Sequence, residues 1–211
     1  MSAIRTRIKI CGITRLEDAL AASALGVDAV GFVFYDKSPR YIEPMKAAAI
    51  IRQLPPFVSA VGLFVNPEQS LIDEVLSLCP LGVIQLHGDE SPDFCQAQSR
   101  RVLKAIAVHS ASDLDKAKQY ACPILLDAKA PHGVYGGTGK SFDWSLLDGF
   151  EHAYPLSLAG GLDVSNIQAA LSHRQWFAVD VSSGVETSPG VKDAAKMHAF
   201  VAAVQDEERN V

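Results

Sequence analysis

Cys11 and Asp127 are the two residues of this chain best placed, by type and position, to move protons. Cys11 closes the run Ile8-Lys9-Ile10-Cys11 directly before Gly12, and Asp127 closes Ile124-Leu125-Leu126-Asp127 before a glycine-rich stretch. A thiol and a carboxyl facing one cavity suit general acid–base catalysis. Most unpaired cysteines are small buried hydrophobes, and that description fits Cys79, Cys95 and Cys122. Parity separates Cys11 from them. In a strand, residues 7, 9 and 11 share one face and Ile8 and Ile10 the other. If the isoleucines face a layer of helices, Lys9 and Cys11 point inward, where a lysine is costly unless an acid pairs with it. Asp127 and Asp180 both qualify as that acid. Asp127 has an alternative role, since an aspartate at a strand end can simply cap the next turn.

A second set of residues suits an anionic ligand. Ala159-Gly160-Gly161-Leu162 and Ser182-Ser183-Gly184-Val185 each follow a short apolar run. Glycines there let backbone amides approach a phosphate. Tight turns explain one such loop comfortably and two in succession less well. Arg40, in Ser38-Pro39-Arg40-Tyr41, offers a planar fork for a carboxylate or phosphate, although a solvated loop arginine is the plainer alternative. Gln85-Leu86-His87 sets two polar groups on one strand face. His87 by itself is an ordinary structural histidine with no catalytic role.

Eight Val-, Ile- and Leu-rich runs alternate with Ala-rich segments of helical period. The strand candidates are 8–11, 29–34, 59–65, 83–86, 102–108, 124–127, 156–159 and 177–181. Helices are expected near 15–25, 44–54, 67–78, 91–99, 112–120, 143–149, 163–172 and 192–205. Thr14 with Glu17 has the spacing of a capping box. Pro44, Pro67 and Pro92 suit helix openings, and Gly26 suits a left-handed stop. Strict alternation implies parallel strands, and eight units predict an α/β fold, a single (β/α)8 TIM barrel over 1–211. A doubly wound open sheet is the competitor. Catalytic groups in such barrels gather at the C-terminal strand ends and the loops that follow, where Cys11, Arg40, Gln85, His87, Asp127, Gly160, Gly161, Asp180, Ser183 and Gly184 lie. Lys129 to Ser141, rich in glycine, reads as a binding loop or lid.

Composition narrows the class. With 19 basic and 24 acidic side chains the net charge is −5, without the basic stripe of a duplex-binding protein. The apolar stretch Phe57 to Val65 is too short to span a bilayer, and Met1 to Arg5 lacks a signal-peptide core. Four cysteines show no zinc or disulfide spacing. A reduced, cytoplasmic domain without membrane, nucleic-acid or obligate protein partners is expected.

The blocks Lys9-Ile10-Cys11-Gly12-Ile13-Thr14, Gly31-Phe32-Val33-Phe34 and Ser38-Pro39-Arg40-Tyr41 resemble those of the phosphoribosylanthranilate isomerases of tryptophan biosynthesis. So do Gln85-Leu86-His87-Gly88, Leu126-Asp127, Gly136-Gly137-Thr138-Gly139, Leu158-Ala159-Gly160-Gly161-Leu162 and Asp180-Val181-Ser182-Ser183-Gly184-Val185-Glu186. They run in order from residue 9 to about 190. The resemblance implies a barrel that isomerises a phosphorylated aminoaldose by an Amadori rearrangement. It implies Cys11 as general base, Asp127 as general acid and Arg40 on the anthranilate carboxylate. Gln85, His87 and Asp180 would bind substrate, and Gly137, Gly160, Gly161, Ser183 and Gly184 the phosphate. No metal or organic cofactor is expected. Two rivals are another phosphosugar-handling TIM barrel, which would carry different groups on strands one and six, and a nucleotide-binding module. The second would need an early phosphate loop, and none follows the first strand.

Overall fold

The computed structural model describes residues 5–127 and 144–209. Its strands are β1 (Arg7–Cys11), β2 (Ala29–Val33), β3 (Ser59–Phe64), β4 (Val83–Leu86), β5 (Arg101–Ala107), β6 (Ile124–Asp127), β7 (Leu156–Ala159) and β8 (Ala178–Val181). Each pairs in parallel with the next, and β8 pairs with β1, so the sheet closes on itself and the open-sheet alternative is excluded. Between the strands run α1 (Leu16–Ala24), α2 (Pro44–Ile51), α3 (Gln69–Leu78), α4 (Pro92–Gln96), α5 (Ala111–Ala117) and α6 (Ile167–His173). A 3-10 turn at Trp144–Leu147 stands where a helix was expected at 143–149. After β8 come a hairpin of β9 (Glu186–Ser188) and β10 (Val191–Lys192), then α7 (Ala194–Arg209).

Strand parity divides the core. Ile8, Ile10, Val30, Phe32, Phe64, Ile84, Leu86, Ile124, Leu126, Leu158, Val179 and Val181 belong to one apolar cluster between barrel and helices. Their alternating neighbours fill the lumen as two small groups, Cys11–Val33–Leu63 and Ala105–Leu125–Ala159. Buried polar groups (Lys9, Gln85, Ser157, Asp127 and Asp180) complete the inner layer. A closed parallel sheet buried on both faces leaves polar chemistry only the lumen and the strand-end loops.

Several local signals hold. Pro44 and Pro92 open α2 and α4, and Gly26, at φ +82°, ends α1. Two do not. Pro67 precedes α3 by two residues, because Glu68 takes the N-cap position. Thr14 caps nothing: α1 begins at Leu16 with Arg15 as N-cap, and the Thr14 hydroxyl donates instead to the Gly190 carbonyl of the β9–β10 turn. The helix expected at 192–205 starts two residues later, because Lys192 belongs to β10 and Asp193 receives the Ala195 and Lys196 amides.

Candidate active site

Cys11 ends β1 inside the barrel mouth, buried, as parity predicts. Its neighbour in register across β2 is Gly31. A Cβ built at Gly31 would lie 2.7 Å from Cys11 Sγ and 3.2 Å from Lys9 Cε. Glycine there opens the space the thiol occupies. Lys9, two residues back on the same face, pairs with Asp180 at 2.7 Å, both side chains 7% exposed. The partner is Asp180 rather than Asp127, because β1 and β8 are adjacent and Lys9 registers directly against Asp180. Burial pushes the Cys11 thiol above its ordinary value, and Lys9 opposes that rise. Burial works against the Lys9 cation, yet Asp180 and the thiol hold it above the usual lysine range.

Asp127 ends β6, buried, with Oδ2 3.0 Å from His87 Nε2. His87 Nδ1 in turn lies 3.2 Å from Gln85 Nε2. An amide NH2 only donates, so Nδ1 accepts and the ring proton sits on Nε2, aimed at the carboxylate. The sequence grouped Gln85 with His87 but not with Asp127. The β4 loop bearing His87 is tied down beneath: Glu90 accepts from the Asn66 and Gly88 amides and pairs at 2.9 Å with the buried Lys104. Among the described residues, Gln85 Oε1 and Asp180 Oδ1 are buried acceptors without a hydrogen-bond partner.

Arg40 is no solvated loop arginine. Its side chain crosses Gly12, whose φ is +79° and where a Cβ would meet Arg40 Cδ at 2.6 Å. Its Nε and Nη2 fork onto Glu186 at 2.9 and 2.6 Å. That engages one edge of the guanidinium; the Nη1–Nη2 edge is the one that suits a ligand carboxylate. Glu186 also receives Lys192 Nζ at 2.8 Å, and Lys192 is fully buried. The same ammonium donates to the Cys11 and Ser182 carbonyls. Glu186 has no role legible in the sequence, and Lys192 lies in β10 rather than in the helix expected from 192. The Pro189-Gly190 dipeptide was the available signal, since it marks a turn between two extended pairs.

Loops seven and eight approach each other closely. Gly160 and Gly161 both have positive φ, at +92° and +65°. Ser183–Val185 forms a 3-10 turn, and a Cβ at Gly184 would lie 2.0 Å from the Leu162 carbonyl oxygen. Only glycine allows that approach of one loop to the other. Asn166 Nδ2 donates to the Gly161 carbonyl at 2.8 Å, which steadies the first loop. Gly137 and the Lys129 to Ser141 stretch lie outside the described residues. No group of three or more His, Cys, Asp or Glu among the described residues could hold a metal ion. No helix among them is long and apolar enough to cross a membrane.

A closed (β/α)8 barrel with a thiol and a carboxyl inside its C-terminal mouth, where barrel enzymes carry their active sites, and glycine loops after β7 and β8, defines the class of a TIM-barrel enzyme. The profile of the N-(5'phosphoribosyl)anthranilate (PRA) isomerase family matches residues 8–203. The chain is 51% identical over 202 residues to the N-(5'-phosphoribosyl)anthranilate isomerase of Pseudomonas putida, covering 94% of this chain and 97% of that one. Phosphoribosyl anthranilate isomerase from Thermotoga maritima superposes with TM-score 0.87 at 48% identity, covering 95% of this chain and 99% of that one. A phosphoribosyl anthranilate isomerase in complex with reduced 1-(o-carboxyphenylamino)-1-deoxyribulose 5-phosphate superposes at 0.84 with 44% identity and the same coverage. The chain belongs to the PRA isomerase family, and the rival of a different phosphosugar barrel is not favoured.

Proposed function

We propose that Cys11 is the general base and Asp127 the general acid in converting N-(5'-phosphoribosyl)anthranilate to 1-(2-carboxyphenylamino)-1-deoxyribulose 5-phosphate, a step of tryptophan biosynthesis. The observation that carries this reading is the placement of both groups: buried, facing the lumen, at the ends of β1 and β6, three strands apart around one mouth. Asp127 protonates the furanose ring oxygen. The C1–O bond breaks, and the nitrogen lone pair completes a Schiff base. The carboxylate left on Asp127 accepts the His87 Nε2 proton as a hydrogen bond. The Cys11 thiolate removes the proton from C2, and the electrons move onto nitrogen to give an enolamine. Protonation at C1 and loss of the C2 hydroxyl proton give the amino-ketone. Proton transfers alone account for the isomerisation, so the reading calls for no metal or cofactor.

Arg40 holds the anthranilate carboxylate, and Gly160, Gly161, Ser183 and Gly184, with Gly137, hold the phosphate. Gln85, His87 and Asp180 face the sugar, where Gln85 Oε1 and Asp180 Oδ1 suit hydroxyl donors. The same reading takes residues 1–211 as one barrel domain, acting in the cytoplasm on a small phosphorylated aminoaldose without nucleic-acid, membrane or obligate protein partners.

Asp127→Asn tests the acid. Asparagine keeps the size and can still cap a turn but cannot deliver the proton, so turnover should fall about 10²–10⁴-fold with wild-type circular dichroism. The wild-type gene should restore growth to a tryptophan auxotroph lacking the isomerase, and the variant should not. A folded Asp127→Asn enzyme of nearly full activity would reduce Asp127 to a turn cap.

A further inference from the structure

Glu186 is buried in the last loop of the barrel, and it bonds to two cations and one amide. Arg40 supplies Nε and Nη2, Lys192 supplies Nζ, and Gly190 supplies its backbone N–H at 3.2 Å. The cluster of Arg40, Glu186 and Lys192 therefore sums to one positive charge. A surplus cation in a half-enclosed loop region suits one incoming carboxylate. The guanidinium is planar, so gripping its Nε–Nη2 edge fixes the plane and the direction in which its Nη1–Nη2 edge points. Burial alone would raise the Glu186 carboxyl; Arg40 and Lys192 instead hold it below the usual carboxylate range, so it stays ionised.

The frame around this grip is shared with the reacting groups. Lys192 Nζ binds the backbone carbonyl of Cys11, and Ser182 Oγ donates to the same carbonyl at 3.0 Å. Thr14 ties down the hairpin turn at Gly190, and the Lys192 amide donates to Asp18 of α1 at 3.1 Å. The hairpin thus locks the end of β1 and the fork of Arg40 into one unit.

We propose that Glu186 is a positioning residue for substrate binding: held by Lys192, it grips the Nε–Nη2 edge of Arg40 and so aims the adjoining Nη1–Nη2 edge at the anthranilate carboxylate. The inference rests on the reading of Arg40 as the carboxylate clamp. It assigns Glu186 to aim and Lys192 to hold the aim in register with Cys11. Orientation of a charged hydrogen bond acts on bound substrate before the chemistry begins, so its loss falls on KM rather than on kcat.

The test uses Glu186→Gln, Arg40→Ala and the pair of them, each assayed on the normal substrate and on N-(5'-phosphoribosyl)aniline, which lacks only the carboxylate. Glu186→Gln should raise KM for the normal substrate about 10–100-fold while leaving KM for the aniline compound nearly unchanged. In the Arg40→Ala background it should add nothing further. Should Glu186→Gln misfold, because Lys192 is left buried without its anion, Glu186→Gln with Lys192→Met removes both charges and should show the same selective loss. Equal losses on both substrates, or a full extra loss in the Arg40→Ala background, would make Glu186 a purely structural residue and overturn the proposal. If Arg40→Ala itself fails to discriminate the two substrates, the clamp reading falls and this inference with it. If Arg40→Ala discriminates and Glu186→Gln does not, only the inference falls.

Discussion

Gly31 and Cys11 face each other across the β1–β2 register, and a single methyl group on Gly31 would press to 2.7 Å from the sulfur. The neighbouring strand has been left without a side chain so that the thiol can stand in the lumen.

Gly31→Ala should therefore move the thiol, not merely crowd the core. Overpacking of this kind costs about 1–3 kcal/mol, so the barrel should still fold, with a lowered melting temperature. A misplacement near 1 Å at a reacting group costs about 10²-fold in rate, so kcat should fall on that order. Near wild-type kcat in the folded variant would mean that the thiol has room to spare.

Arg40→Lys should be a severe change, although it keeps the charge. Lysine can reproduce neither the fork onto Glu186 nor a second planar edge for a ligand. A charged hydrogen bond contributes about 1.5–3 kcal/mol, which gives roughly a 10–100-fold drop in kcat/KM, carried mainly by KM. A lysine variant with unchanged KM would remove Arg40 from the binding site.

The pH profile follows from the position of Cys11. Its base form is the thiolate, and burial raises the thiol pKa, so the thiolate is lost as pH falls and gained as pH rises, while the role of Asp127 as acid requires a protonated carboxyl and has the opposite dependence. Below that pKa the thiolate fraction drops about tenfold per pH unit. Lys9 lowers the thiol pKa, so Lys9→Met should raise it, leave less thiolate at neutrality and reduce turnover there. The measurement is kcat/KM against pH for both proteins; superimposable limbs would show that Lys9 does not tune the thiol.

Most of the frame was legible because it is written in strand periods. Ile8 and Ile10 against Lys9 and Cys11 already separate the outer face of β1 from its inner face, and the order of eight short apolar runs marks the barrel. What escaped was set by pairs distant in the chain. Lys9 had two candidate acids, and only the closure of β8 onto β1 selects Asp180. Thr14 matched a local capping pattern, yet its hydroxyl finds Gly190 in the last loop. Lys104 sits on the outward parity of β5 with Val102 and Ile106, a face that the helices cover and where a lysine needs a partner. It is fully buried because Glu90 reaches it from the β4 loop. Glu186 and Lys192 went unassigned for the same reason, since their partners Arg40 and Cys11 lie near the other end of the chain.

The central claim is that Cys11 takes the proton from the sugar, and turnover by Cys11→Ala tests it most directly. General-base catalysis typically contributes about 10²–10⁴-fold, and with no neighbour to replace the thiolate the loss should lie at the upper end. Substrate affinity should change little, and alanine at Cys79, Cys95 or Cys122 should leave activity near wild type. A Cys11→Ala enzyme that retained more than about a tenth of wild-type turnover would contradict the account.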